Sequence, residues 1–404
     1  MAVGGMIGGG IFSVLGVIIE TAGQWAWLSF VIAGMIALIS AHSYNELTLK
    51  YKESGGVFTF LRNSDNKSLA ASLAWLLILG YILTISVYAF TFGHYVSYVF
   101  KSEYLLPGLL SFLLIVFLTY INLRGVGDAS RIEIITVWGK LFILLGLAVT
   151  GIFRWNSGQL TSGISVKPLS ASIIGAATIF MAYEGFQLLY YDYDELENHE
   201  KNLPKASILA VITVIIVYVL VAFGATMLVG AETLIKKKEI ALSIAGQNAF
   251  GFTGLILVTI AAAFSTASAI NATLFSTARL MKRVSEKKDL PAVLGKDNKK
   301  NIPYVSVMVI AGFAALMANI GSLNTLVDEA SLIFLITFGG VNYLAWQKKL
   351  RFRFASLSAS AACFIAIILA SYEQYKNNPL PLIVLILLII IAIAGRRYFI
   401  NKFE

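Results

Sequence analysis

The chain has 404 residues, 58% hydrophobic and only 13% charged, with a mean hydropathy of +0.79 and a net charge of +9. Soluble domains carry about 25% charged residues, so half that load excludes an ordinary water-soluble globule and points to repeated membrane crossings. The positive charges fall in short loops between apolar runs, which excludes nucleic acid as their partner. Cys363 is the single cysteine, so no intramolecular disulfide and no thiol metal cluster can form. His42, His94 and His199 are scattered, which argues against a histidine metal site. No basic n-region with a small-residue cleavage site opens the chain, so no cleaved signal peptide is expected.

A membrane span needs about 20 mostly apolar residues. Twelve runs qualify in order: 1–20, 25–49, 69–99, 105–123, 131–153, 171–191, 204–229, 249–280, 303–321, 326–346, 354–372 and 379–399. They are too long for strands and lack period-two alternation. An all-α integral membrane protein of twelve helices is therefore expected, with no long soluble domain. With both termini cytoplasmic, 23 Lys and Arg face inward and 7 outward, and this bias sets the expected orientation. The run Lys236-Lys237-Lys238 is expected to be a solvated loop face.

Two spans are interrupted. The first carries Gly4-Gly5-Met6-Ile7-Gly8-Gly9-Gly10-Ile11-Phe12, with five glycines in nine residues. Glycine costs a helix interior about 1 kcal/mol relative to alanine, so this helix is expected to open. The sixth carries Phe180-Met181-Ala182-Tyr183-Glu184-Gly185-Phe186-Gln187, where a carboxylate, a glycine and an amide break an apolar run. Spans one and six each lead a set of five. Five crossings are odd, so the second set enters from the opposite side. Paired interrupted helices at matching positions point to a transporter's binding site at mid-membrane depth. The halves are residues 1–153 and 171–347, followed by two further helices and the C-terminus in 353–404. A half-helix starting at Gly8, Gly9 and Gly10 would offer N–H groups and a positive dipole end to a carboxylate. Carbonyls freed at Met181, Ala182 and Glu184 would suit an ammonium, so a zwitterionic amino acid fits both. Close helix–helix packing is the rival explanation of the glycines.

Four segments carry a resemblance. Gly5 to Phe12 resembles the G-S/T-G-I-F signature of the amino acid–polyamine–organocation transporters. Glu53-Ser54-Gly55-Gly56-Val57-Phe58-Thr59-Phe60-Leu61 is similar to their P-E-S-G-G-x-Y-x-Y-L loop after span two. Phe180 to Phe186 resembles F-x-A-Y-x-G-F, and Glu195 to Ala206 resembles E-x-x-N-P-x-K-x-I/L-P-K/R-A. Their order and spacing agree along nearly the whole chain. The resemblance implies the leucine-transporter-type fold, five plus five inverted helices with helices 1 and 6 unwound. Three positions depart from the pattern. Gly9 stands where Ser, Thr or Ala is usual, Lys52 replaces a proline, and His199 stands where a second proline is common. Relatives usually carry a cytoplasmic stretch before the residue matching Gly4, so either the start of the chain is misassigned or the inner half of helix 1 is short.

Lys140 lies nine residues into the fifth span, about 13 Å along the helix. An ionisable group there is costly and by default functional; snorkelling to the inner surface is the alternative. In sodium-coupled members of this fold an ion sits between helix 1 carbonyls and helix 8 hydroxyls. The resemblance to proton-coupled members implies that the Lys140 amine takes that place, near the Gly4 carbonyl and near Ser265 or Ser268. Alternate wetting and drying of the site would let Lys140 take up a proton on one side and release it on the other. Glu184 has three open roles: offering its backbone carbonyl, reading a cationic substrate, or relaying protons. Phe186 matches the family's aromatic outer gate. Tyr81, Tyr88 and Tyr95 recur every seven residues, a spacing expected for packing, with one of them facing the pocket. His94 is expected at the interface and Arg279 as a surface anchor. The acidic run Asp192-Tyr193-Asp194-Glu195 is expected to pair with nearby cations.

These features predict a secondary transporter of the plasma membrane that carries an amino acid inward with a proton, without sodium, metal or organic cofactor. An amino acid or amine exchanger with the same site is the alternative. No G-x-x-x-x-G-K-S/T loop is present to use ATP. A channel is disfavoured because a broken-helix site needs occlusion. An enzyme is disfavoured because no nucleophile–base pair or metal motif sits in a span. Lipid is the only macroscopic partner expected; oligomeric state and the choice of amino acid carry no sequence signal.

Overall fold

The computed structural model describes residues 2–53, 56–64, 67–102, 105–125, 130–196, 198–377 and 379–390. Among them every extended regular element is a helix, apart from one isolated bridge between Asp297 and Pro303. The helices are α1 (Ala2–Ala22), α2 (Ala26–Tyr51), α3 (Gly56–Arg62), α4 (Lys67–Val99), α5 (Leu105–Arg124), α6 (Ser130–Phe153) and α7 (Ala171–Thr178). They continue as α8 (His199–Val229), α9 (Ala231–Lys236), α10 (Ala241–Glu286), α11 (Tyr304–Ile320), α12 (Leu323–Gln347), α13 (Arg353–Asn377) and α14 (Pro379–Ile390).

Eight helical stretches among the described residues are long and apolar enough to cross a membrane. Two of these, Ala2–Tyr51 and Lys238–Glu286, run 50 and 49 residues. At 1.5 Å per residue each is more than twice the ~30 Å hydrocarbon core. Both are divided by glycines. A 3-10 turn over Gly23–Trp25, with Gly23 at φ +56°, turns the chain from α1 into α2. In α10, Phe250 at φ −135° and Gly251 at φ +63°, ψ −150° break the helix, and only glycine adopts the latter backbone cheaply. The Ser322 side chain accepts the Thr325 N–H at 3.3 Å and starts α12.

Helix α1 is the centre of the molecule. Every residue from Met6 to Ile19 is buried, against α4, α7, α8 and α10. Outer helices show the reverse pattern. Phe112 and Phe117 on α5, Phe142 and Phe153 on α6, Phe313 on α11 and Ile368 on α13 are exposed. A broad apolar outer face with a packed, more polar interior is what lipid as solvent requires.

Two stretches between the expected spans are partly helical. The break 51–68 holds α3, whose Gly56 to Leu61 are buried, and 230–248 holds α9 and the start of α10. Helices of six or seven residues are too short for an apolar period to emerge. The motif residues Ser54, Gly55 and Glu197 lie outside the described residues, as do Met1 and the end of the twelfth run beyond 390.

Candidate functional site

The sixth run breaks where the sequence places the interruption. Helix α7 stops at Thr178, a 3-10 turn covers Phe180–Tyr183, Glu184 is extended and Gly185 takes φ +128°. A second 3-10 stretch, Phe186–Glu195, then leads towards α8. Gly185 lies on the α1 backbone: a Cβ there would sit 2.7 Å from the Met6 nitrogen. The broken segment and α1 therefore touch directly, with no side chain between them.

Backbone groups released in the membrane interior must find partners inside the protein. Ser331 on α12 supplies two, its hydroxyl donating to the Thr178 carbonyl at 2.6 Å and accepting the Met181 N–H at 3.0 Å. The Tyr218 hydroxyl on α8 is shared between the Ala182 carbonyl at 2.9 Å and the Met6 carbonyl at 2.6 Å. The Gly185 N–H donates to Gln187 Oε1 at 3.0 Å, and the Glu184 N–H to the Met181 carbonyl at 2.9 Å. The carbonyls of Met181 and Ala182, expected to be free for an ammonium, are thus held by protein donors. Tyr218→Phe is expected to lower stability by about 1–3 kcal/mol, because one deletion strips a donor from two buried carbonyls. A melting curve of the purified variant reads this directly.

Helix 1 departs from expectation. Instead of unwinding at Gly8–Gly10, α1 is one continuous helix from Ala2 to Ala22. The glycines serve close approach. Gly8 packs on the Ala269 methyl of α10, Gly9 on the Tyr88 ring of α4, and Gly10 on the Tyr218 hydroxyl beside the Ala182 carbonyl. Contact with three neighbours offsets the intrinsic helix cost of glycine, and side-chain donors add to it. Besides Met6, the carbonyls of Ile7, Gly9 and Phe12 accept from Ser265 (2.9 Å), Ser13 (2.7 Å) and Tyr95 (3.1 Å).

Lys140 is turned inward from α6. It is 2% exposed, and its Nζ donates to the Gly4 carbonyl at 2.9 Å. Burial excludes snorkelling. The Ser265 hydroxyl donates to the Ile7 carbonyl, one turn along α1 from this contact, while Ser268 is half-buried. The structure thus brings Lys140, Gly4 and Ser265 to one end of α1.

Glu184 is 1% exposed. Its Oε1 accepts from Gln187 Nε2 at 3.2 Å, and Tyr88 lies beside the carboxyl group. Gln187 also reaches the Tyr81 hydroxyl at 3.4 Å, which meets the Tyr191 hydroxyl at 3.2 Å. In the stripe Tyr81, Tyr88, Tyr95, the Tyr81 and Tyr95 hydroxyls bond to Gln187 and to the Phe12 carbonyl, while the Tyr88 ring packs on Gly9.

Phe186 is buried just after the break. It follows the break, so it lies towards the face where α1 begins and α2 ends. There it meets Tyr44 at 5.7 Å, Phe338 at 5.4 Å and Tyr190 at 6.4 Å between ring centroids. Tyr44 also packs on Phe60 of α3 at 5.7 Å. Two ion pairs brace this side: Arg62 to Asp289 at 2.5 Å, and the exposed Lys52 to Glu200 at 2.8 Å. On the opposite face Glu20 at the end of α1 pairs with Lys238 at 3.0 Å and accepts from Asn324 at 2.8 Å. The side chains of Asp192, Asp194 and Glu195 are outside the description, so their expected pairing lies there too. Sequence patterns do not single out Tyr218 or Ser331, since one tyrosine or serine in an apolar helix carries no periodic signal.

Comparison with known proteins agrees with this architecture. The family model described as amino acid permease matches residues 1–394. The inner membrane transport protein YbaT of Escherichia coli K12 is 29% identical over 353 residues, covering 85% of this chain and 81% of that protein. The large neutral amino acids transporter small subunit 2 of Homo sapiens is 26% identical over 366 residues, covering 86% and 68%. A manganese transporter of Eremococcus coleocola shares the fold, with a TM-score of 0.65 at 12% identity over 100% of this chain and 94% of its own. Among the described residues no cluster of three His, Cys, Asp or Glu could hold a metal. With a matching family model over nearly its whole length and the break of the sixth run in place, the chain belongs to the amino acid permease family.

Proposed function

We propose that the protein is a secondary active transporter that moves an amino acid across the cell membrane by alternating access, driven by protons and independent of sodium. The observation that carries this is the Lys140 amine on the Gly4 carbonyl at 2.9 Å. It ties a protonatable group to one end of α1, where the adjacent Gly5 and Met6 rest on the Gly185 break. A protonated amine holds the α1 carbonyl with a charge-assisted hydrogen bond, and a neutral amine holds it less strongly. Proton release therefore loosens α1, the element any movement of the break must carry with it. The names of the Escherichia coli and human relatives support transport, and the human one supports an amino acid as cargo.

In this proposal the chain crosses the membrane twelve times, with residues 1–153 and 171–347 as inverted repeats and both termini in the cytoplasm. The substrate carboxylate docks on the N–H groups of Gly8–Gly10 once Tyr88 swings off Gly9 and α1 opens there, and the substrate amine displaces Tyr218 from Ala182. The Phe186 cluster closes the cytoplasmic side, and the Lys238–Glu20–Asn324 contacts restrain the outer side. A thermal-shift screen of the twenty amino acids on purified protein tests substrate binding, since ligands of the folded state raise its melting temperature by mass action. At least one amino acid should raise it in a saturable manner. No shift from any of them, on protein that melts cooperatively, would remove the proposal.

A further inference from the structure

Glu184 is buried in the break itself, on extended backbone directly before Gly185. Gln187 Nε2 donates to its Oε1 at 3.2 Å, and the Tyr88 hydroxyl lies beside the carboxyl group. No lysine, arginine or histidine pairs with it among the described residues. An ionised carboxylate offers about four acceptor positions, and burying one without a cation is costly. An ionisable group inside a membrane protein marks a substrate or ion path by default.

Tyr88 joins this carboxyl group to the glycines of α1. One edge of its ring, Cδ1 and Cε1, stands where a Cβ on Gly9 would go, and the hydroxyl at the far end lies beside Glu184. The ring thus fills a slot with Gly9 at one end and Glu184 at the other. Moving the ring off Gly9 also takes its hydroxyl away from the carboxyl group. A single movement uncovers the α1 backbone and, about a phenol ring away, an acceptor left with Gln187 alone. Whatever replaces the ring needs an apolar middle, as the phenol has, and a donor at its end. Gln187 holds the carboxyl group in place for it. Its own Oε1 accepts the Gly185 N–H at 3.0 Å, so the amide that positions Glu184 is anchored on the break.

We propose that Glu184 determines the specificity of the central site and selects an amino acid with a basic side chain. The α-carboxylate docks on Gly8–Gly10, the methylene stem takes the place of the Tyr88 ring, and the terminal cation donates to Glu184. A neutral amino acid of the same length leaves the uncovered carboxylate without a donor, and a site that loses a buried hydrogen bond rejects the analogue that lacks the group. This inference rests on the central site being an amino acid site.

Isothermal titration of the full chain in nanodiscs tests it, with lysine, arginine and norleucine as probes. Norleucine keeps the lysine stem and lacks the terminal amine. The tighter of the two basic amino acids should bind wild type about tenfold or more better than norleucine, the worth of a hydrogen bond to a charged group. Glu184→Gln, shown to be folded by its melting curve, should erase that preference and still bind norleucine. Norleucine binding wild type as tightly as the basic amino acids overturns the proposal, and so does a folded Glu184→Gln that keeps the preference. If the variant does not fold, side-chain-acetylated lysine decides on wild type, since it keeps the length and loses the charge; binding equal to that of lysine overturns the proposal. Binding of neutral amino acids but not basic ones overturns the specificity and leaves the amino acid site standing. Binding of no amino acid removes both.

Discussion

Lys140→Ala is expected to cut proton-driven amino acid uptake into proteoliposomes by at least about tenfold, since a hydrogen bond to a charged group is worth about 1.5–3 kcal/mol. The variant loses the donor that reaches the Gly4 carbonyl and the charge buried at that end of α1. Lys140→Met should behave alike, because it keeps the stem and removes the amine. Lys140→Arg separates tether from coupling. Its guanidinium can still donate to Gly4 but does not give up a proton. That variant should retain exchange of internal for external substrate and lose accumulation against a gradient. Accumulation at wild-type rates in all three variants would exclude Lys140 as the coupling group.

The second large effect is at Gly9. A Cβ there would enter the Tyr88 ring at its Cδ1 and Cε1 atoms, with Cγ close behind. Gly9→Ala is expected to destabilise the protein by about 1–3 kcal/mol through overpacking and to abolish uptake. Gly9→Ser, which restores the hydroxyl usual in relatives, should fare no better. If the clash is the cause, trimming the ring compensates. The double variant Gly9→Ala with Tyr88→Leu should recover most of the lost melting temperature, a non-additivity expected only of residues in contact. Additive losses would place the glycine's role elsewhere.

Much of the fold is legible in the sequence because lipid makes one demand, a long apolar helix, and the chain meets it run after run. The expected span 105–123 lies within α5 at 105–124, and 131–153 within α6 at 130–153. Gly185 announces its own break, since the φ of +128° it adopts excludes almost any other residue. The glycines of α1 mislead for a physical reason. Glycine lowers helix propensity and permits close approach, and which effect wins depends on neighbours distant in sequence. Tyr88, Tyr218 and Ala269 supply that contact, and no local pattern names them. The burial cost of Lys140 marks it as a residue in need of a partner, but its place beside the Gly4 carbonyl is legible only through the family resemblance.

The most direct measurement is uptake of the amino acid identified by thermal shift into sodium-free proteoliposomes with an alkaline interior. Accumulation above the external concentration, collapsing when a protonophore is added, is the predicted result. Uptake that needs sodium, or that occurs only when the vesicles are preloaded with amino acid and ignores the pH gradient, would contradict proton coupling through Lys140.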